Sequence, residues 1–221
     1  MTSSRSKIPR ATVKRLSLYL RELESRHNQN QKTINSKQLG DVLSLTDAQV
    51  RKDLAYFGQF GYPGVGYRIL ELIENLRRIL GTDRKWNAVV IGAGNIGRAI
   101  MAYQRFRQKG FEVVAVLDND RSVVGQVISG HHVRPMSDLN DLVQQRDVKI
   151  GILAVPAPVA QEVADQLIEA GVQGILNFAP VRLDVHDAVG ITSVDFSVAL
   201  EQLAFQISLG VTGSLEEEND Q

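Results

Sequence analysis

Cysteine is absent from the 221 residues. Disulfide frameworks, thiolate nucleophiles and cysteine-based metal sites are thereby excluded, and an intracellular home is expected. No apolar run approaches the about 20 residues that a helix needs to cross a bilayer. The opening MTSSRSKIPR lacks the apolar stretch of a secretory signal. A hydrophobic share of 43% and a charged share of 23% fit no disordered, collagenous or coiled-coil class. The length suffices for two small domains or one large one. Net charge is also missing, but the zero conceals a split. Residues 1–86 carry 16 Lys/Arg against 8 Asp/Glu, and residues 87–221 carry 9 against 17. Opposite halves imply two domains with different partners, the basic one suited to a polyanion. The acidic tail, Glu216 to Gln221, reads as a solvated end.

In the basic half, Val13, Leu16, Leu20 and Leu23 recur at spacings of three and four, which predicts an amphipathic helix over 10–26. Lys14, Arg15 and Arg21 lie largely off that stripe. Residues 27–33 are polar and read as a connector. Asn35 and Gln38 form a helix-start box ahead of Leu39, Val42 and Leu43. After a tight turn at 44–46, Thr46 and Gln49 repeat that signal, and Val50, Leu54 and Phe57 point to a core. Ala48, Lys52, Ala55 and Tyr56 then face outward, flanked by Gln49 and Arg51. Two short helices joined by a tight turn make a helix-turn-helix, whose second helix fits the major groove. A small helical bundle with a solvated charged face is the competing explanation. GQFGYPGVGYRI (58–69), with four glycines among aromatics, reads as a hairpin. Placed straight after such a helix, it is the wing of a winged helix, unless it is a plain turn. Ile69, Ile73, Leu76 and Leu80 predict a last helix over 69–80 ending at Gly81, and GTDRKW reads as the linker.

The acidic half opens with NAVVIGAGNIGRAI (87–100). An apolar strand, Gly-x-Gly-x-x-Gly and a helix are the context a dinucleotide fingerprint requires. Gly92 permits the turn, Gly94 lets the backbone approach a pyrophosphate, and Gly97 lets helix and strand pack closely. Ala93, Asn95 and Ile96 complete the loop, and the helix start offers N–H groups to an anion. A second strand ends at Asp118, 21 residues beyond Gly97. An acid there hydrogen-bonds the adenosine ribose and repels a 2′-phosphate, favouring NAD(H), although Arg121 would soften the preference and Asp118 also fits a plain turn. About six strands are predicted, alternating with helices as in a doubly wound parallel sheet. Val155, Pro156, Asn177, Phe178 and Ala179, at strand ends, are candidates for the nicotinamide side, against ordinary strand-end packing. A final helix over 197–209 is apolar on most sides and reads as a subunit interface, unless it docks on its own sheet.

Catalytic equipment is lacking. Only 25 residues follow the sixth strand, too few for a substrate domain. His27, His131, His132 and His186 stand with no obvious carboxylate or substrate-binding arginine, and no metal spacing, nucleophile elbow or P-loop appears. The cofactor fold therefore reads as a sensor with no catalytic residue and no metal. Competing readings are a small NAD-dependent oxidoreductase with an accessory helical domain, and a helical dimerisation module on a cofactor-binding scaffold.

RLSLYLRELE (15–24), QVRKDLAYFGQFGYPGVGYRI (49–69), GAGNIGRA (92–99), GILNFAP (174–180) and VDF (194–196) closely resemble the bacterial redox-sensing repressor family called Rex. The resemblance implies cytoplasmic homodimers that bind palindromic operator DNA when NAD⁺ dominates and release it when NADH binds. It implies a winged helix over 1–84, a Rossmann domain over 85–195, and a dimer-exchanged helix with tail over 196–221. It also implies an NADH-dependent network of Arg21, Tyr103 and Asp195, and a Phe196 that approaches the partner's nicotinamide site. The expected DNA contacts are Arg15, Gln49, Arg51, Lys52, Tyr56, Gly64 and Gly66. The expected cofactor contacts are the loop 92–97, Asp118, Val155, Pro156, Asn177, Tyr103 and Phe196.

Overall fold

A computed structural model describes residues 8–186 and 188–210. The acidic tail lies outside these residues. Two compact units divide the chain, Met1–Lys85 and Trp86–Gln221.

The first unit runs α1 (Arg10–Asn28), β1 (Thr33–Ile34), α2 (Ser36–Leu43), α3 (Asp47–Ala55), β2 (Tyr67–Arg68) and α4 (Ile69–Leu80). On α1 the stripe of Leu16, Leu20 and Leu23 is buried as its spacing requires, joined by Tyr19 and Thr12. Val13, expected on that stripe, is exposed. Asn35 and Gln38 exchange hydrogen bonds of 2.8 and 3.0 Å, closing the start of α2. Thr46 likewise accepts from the Gln49 N–H at 3.1 Å, but the Gln49 side chain turns elsewhere. Val50 and Leu54 of α3 are buried, whereas Arg51, Lys52, Ala55 and Tyr56 face solvent. The 27–33 connector is shorter than expected: α1 continues to Asn28, and Thr33 begins a strand that pairs antiparallel with β2. The wing is correspondingly smaller. Tyr62 and Gly66 close it with reciprocal backbone bonds of 2.7 and 3.0 Å. Gly81 ends α4 at positive φ, as its position predicts.

The second unit runs β3 (Trp86–Ile91), α5 (Asn95–Ala102), α6 (Arg105–Gln108), β4 (Phe111–Asp118), β5 (Val127–Ile128), β6 (His131–Pro135), α7 (Leu139–Gln145), β7 (Val148–Leu153), α8 (Ala157–Glu169), β8 (Gly174–Asn177), β9 (Gly190–Ser193) and α9 (Phe196–Ser208). One sheet holds all seven strands in the order β5-β6-β4-β3-β7-β8-β9. Only β5 is antiparallel to its neighbour. Along the chain the six parallel strands take the order third, second, first, fourth, fifth, sixth. The direction of winding therefore reverses beside β3, where sheets of this kind leave a crevice. Val89 and Ile91 bury against one layer of apolar side chains, and Ala88 and Val90 against the other. Burial on both faces explains why β3 reads as a continuous apolar run rather than an alternating one.

Two boundaries differ from expectation. Trp86, assigned to the linker, starts β3 with its N–H on the Gly110 carbonyl at 2.8 Å. The strand expected over GILNFAP (174–180) ends at Asn177, and the chain bends at Ala179 and Pro180. α9 buries none of its residues, so docking on its own sheet is not what the structure shows.

Candidate DNA-reading face and dinucleotide cleft

On the first unit, α3 carries the outward residues Arg51, Lys52 and Tyr56. Arg51 pairs with Asp47 at 2.6 Å and donates to the Ser36 hydroxyl at 3.0 Å, which ties the starts of α2 and α3 together. Asp47, in the first turn, is held below the usual carboxylate range by its hydrogen bond from the Arg51 guanidinium, against the opposing effect of desolvation. Pro63, Gly64 and Val65 form the exposed wing tip. A Cβ on Gly64 would meet nothing within 4 Å, whereas one on Gly66 would lie 2.6 Å from the Ile34 carbonyl oxygen. Gly64 is therefore free to approach a ligand, and Gly66 serves the packing of the wing on β1. The wing base is pinned by Tyr62, whose hydroxyl donates to Glu71 at 3.0 Å and whose ring lies 4.7 Å from the Arg68 guanidinium.

Arg15 and Gln49 were expected outside and are turned inward. Both donate to Asp53, a fully buried carboxylate on the inner side of α3. Arg15 reaches it with two nitrogens at 2.6 and 2.8 Å, Gln49 at 2.9 Å, the Tyr19 hydroxyl at 2.7 Å and the Thr12 hydroxyl at 3.2 Å. Burial raises the Asp53 pKa, yet the hydrogen bonds from Arg15 and Tyr19 outweigh it and leave the carboxyl below its ordinary value. Burial and the Asp53 bond push Tyr19 upward, so it stays a donor. Sequence reasoning missed Asp53. Its signal was a carboxylate inside the QVRKDL run, on the apolar side of α3 beside Val50 and Leu54.

On the second unit, a cavity of about 800 Å³ opens where the winding reverses. It is lined by Gly92, Ala93, Gly94, Asn95 and Ile96, by Asp118, and by Val155 and Pro156. Gly92 sits at φ 100°, a conformation costly for any other residue. A Cβ on Gly97 would run into the Gly92 carbonyl oxygen, so Gly97 permits the close turn without touching the cavity. A Cβ on Gly94 would meet nothing within 4 Å, leaving the main chain open to a ligand. The Asp118 carboxylate accepts the Ala93 N–H at 2.7 Å and the Asp120 N–H at 2.9 Å, which places it against the glycine loop. Arg98 and Glu162 also line the cavity and were not singled out from sequence. Ile96 faces the cavity rather than the sheet.

Besides Gly97, the expected cofactor residues Asn177 and Tyr103 do not line this cavity, and Phe196, expected at a partner's site, lies outside it. Asn177 is fully buried, and its amide donates to the Ala179 and Val181 carbonyls and accepts the Ala179 N–H. It shapes the 177–181 bend and so presents Phe178, which does line the cavity. Tyr103 closes α5, packs edge-on against Phe106 at 4.9 Å and lines a separate hollow with Arg107 and His131. Phe196 is exposed, with its ring 6.2 Å from that of Phe178. Asp195 caps α9 by accepting the Ser197 N–H at 2.9 Å and the Ser197 hydroxyl at 2.6 Å, bonds that hold its carboxyl below the usual range. Arg21 is exposed on α1. Among the described residues no group of three or more His, Asp or Glu side chains is placed to hold a metal, and no helix is long and apolar enough to cross a membrane.

A family model described as "CoA binding domain" matches residues 83–181, and one described as "Putative DNA-binding protein N-terminus" matches residues 7–55. A Carboxydothermus hydrogenoformans protein named redox-sensing transcriptional repressor Rex is 50% identical over 201 residues, which is 91% of this chain and 97% of that one. A protein of the same name from Desulforamulus reducens is 44% identical over 203 residues, 92% and 97% of the two chains. The crystal structure of RSP in complex with β-NAD⁺ and operator DNA matches with a TM-score of 0.88 at 35% identity, covering 93% of this chain and 94% of that one. RSP in complex with β-NADH matches with a TM-score of 0.85 at 34% identity, covering 93% and 96%. With half of its residues identical to such a repressor across nine-tenths of its length, the chain belongs to the Rex family of redox-sensing transcriptional repressors.

Proposed function

We propose that this chain represses transcription by holding operator DNA while the NADH/NAD⁺ ratio is low and letting go when NADH binds. One observation carries the reading: a helix-turn-helix with an exposed basic second helix and an open glycine-loop cleft occupy separate units of one chain. The names of its relatives and the ligands of the RSP structures support it.

The cleft fits a dinucleotide. The main chain at Gly94 is open to a pyrophosphate, and the loop feeds the start of α5, whose N–H groups attract an anion. Asp118 suits an unmodified adenosine ribose. A phosphate on that ribose, as in NADP(H) or coenzyme A, would meet the Asp118 carboxylate, so NAD(H) is the favoured ligand. Ala93, Asn95, Ile96, Val155 and Pro156 complete the wall. In this reading Arg51, Lys52, Tyr56 and Gly64 meet DNA, and Arg15 supports α3 from behind.

The protein works in the cytoplasm as a homodimer on a palindromic site. α9 exposes Phe196, Leu200, Leu203, Phe205 and Ile207, an apolar surface that a second copy would cover. Residues 1–84 serve DNA, 85–195 the cofactor and 196–221 the dimer, with Arg21, Tyr103 and Asp195 coupling the sites across it. By linkage, operator DNA must weaken NADH binding by the factor with which NADH weakens DNA binding. Titrating NADH with and without operator tests this: reciprocal weakening is expected, and equal affinities would overturn the coupling.

A further inference from the structure

Asp53 is the only buried charged residue among the described residues. Each of the contacts that it makes to Thr12, Arg15, Tyr19 and Gln49 brings a donor to it. An ionised carboxylate has acceptors only. Gln49 is therefore bound to offer its Nε2 to Asp53, at 2.9 Å, and to turn its Oε1 away. Rotation about the last side-chain bond lets a glutamine present either its oxygen or its NH2 to a neighbour, and here the partner decides between them. Gln49 stands in the first turn of α3, the part of such a helix that meets base edges in the major groove.

We infer that Asp53 is a positioning residue for operator reading. It presets the Gln49 amide with its carbonyl oxygen outward, so that Gln49 selects the orientation of a base pair that brings adenine or cytosine, and with it an exocyclic amino group, next to that oxygen. The inference rests on the DNA-binding function proposed above. An outward oxygen plus the second Nε2 hydrogen matches adenine, which offers an amino donor beside an acceptor. The oxygen alone matches the amino group of cytosine. Guanine O6 and thymine O4 are acceptors and leave the oxygen facing another lone pair. The preset also removes part of the side chain's rotamer freedom before DNA arrives, which lowers the ordering cost of contact.

The test uses the full-length protein and a duplex selected by the wild type, with each half-site base pair replaced in turn and affinity read by fluorescence anisotropy. Wild type is expected to favour one base pair at one position by about 5- to 150-fold, and to lose that preference when the pair's adenine or cytosine is exchanged for an analogue without the exocyclic amino group. Gln49→Met should flatten that preference and leave the other positions unchanged, a pattern that general loss of folding does not produce. Asp53→Asn, provided its thermal transition persists, should weaken the same preference alone. If Asp53→Asn does not fold, the wild-type Gln49 side-chain amide decides the point: its NMR signal, identified by its loss in Gln49→Met, should exchange slowly with solvent. Exchange as fast as that of exposed glutamines would overturn the inference. So would a Gln49→Met protein whose base preferences are all unaltered, or a wild type whose affinity does not change when the amino group of the preferred pair is removed. Failure of the wild type to bind any duplex would instead bring down the DNA-binding function, and this inference with it.

Discussion

The two units build their sites from different materials. On the first, the working surface is a set of side chains on α3, held from beneath by a buried carboxylate with four donor side chains. On the second, the cleft is built around a glycine loop, whose turn depends on atoms that Gly92 and Gly97 do not have. A surface made of side chains can change its specificity one residue at a time. A glycine turn of this kind tolerates little change at Gly92 and Gly97, because a Cβ at either would run into a main-chain carbonyl oxygen.

The contrast is open to direct attack. Asp53→Ala leaves the half-buried Arg15 without its counter-ion and the buried Tyr19 hydroxyl without its acceptor, and should destabilise the first unit by about 2–3 kcal/mol, with the second unit's thermal transition unmoved. Calorimetry at neutral pH measures it. The same carboxylate sets an acid limit. Its folded pKa lies below the unfolded one, so its contribution is complete above the unfolded value of about 3.9 and disappears as pH falls through the folded value. The first unit should therefore soften below about pH 4 more steeply than the second, and this difference should vanish in the Asp53→Ala protein.

Gly97→Ala forces a Cβ into the Gly92 carbonyl and should cost the second unit about 1–3 kcal/mol together with its NADH binding. Gly94→Ala separates those two effects. Its Cβ enters open space, so Tm should hold while NADH binding, followed by fluorescence titration, weakens on the order of tenfold, about 1.4 kcal/mol. A matching loss of Tm would mean that Gly94 serves packing instead. Lys52→Ala should have the smallest effect: a modest, sequence-independent loss of DNA affinity and a salt slope reduced by about one. An unchanged slope would remove Lys52 from the phosphate contacts.

Much of the fold and of the cleft is legible in the amino-acid order. The capping box at Asn35, the N-cap at Thr46, the stripe on α4 and the strand–loop–helix at 86–102 are local patterns, and local patterns survive into the fold because nearby atoms enforce them. The loop residues Gly92 to Ile96, with Asp118, Val155 and Pro156, all line the cavity as their positions at strand ends suggested. Asn177 shows where this reasoning fails. Being at a strand end placed it near the cleft, but a buried amide must satisfy its own hydrogen bonds, and those bonds lie in the bend behind Phe178. Arg15 fails in the same way. Helical periodicity gives the direction in which it leaves α1 and says nothing of a carboxylate 38 residues later.

Sequence alone settled the division of charge, the class of each half, the glycine loop and the helices, since each follows from composition or from spacing within one element. Tertiary structure alone brought Thr12, Arg15, Tyr19 and Gln49 onto Asp53 and left α9 without cover inside its own chain. Pairing between polar groups is a matter of distance in space, and a linear pattern of apolar residues defines which faces close together without specifying which charges meet when they do.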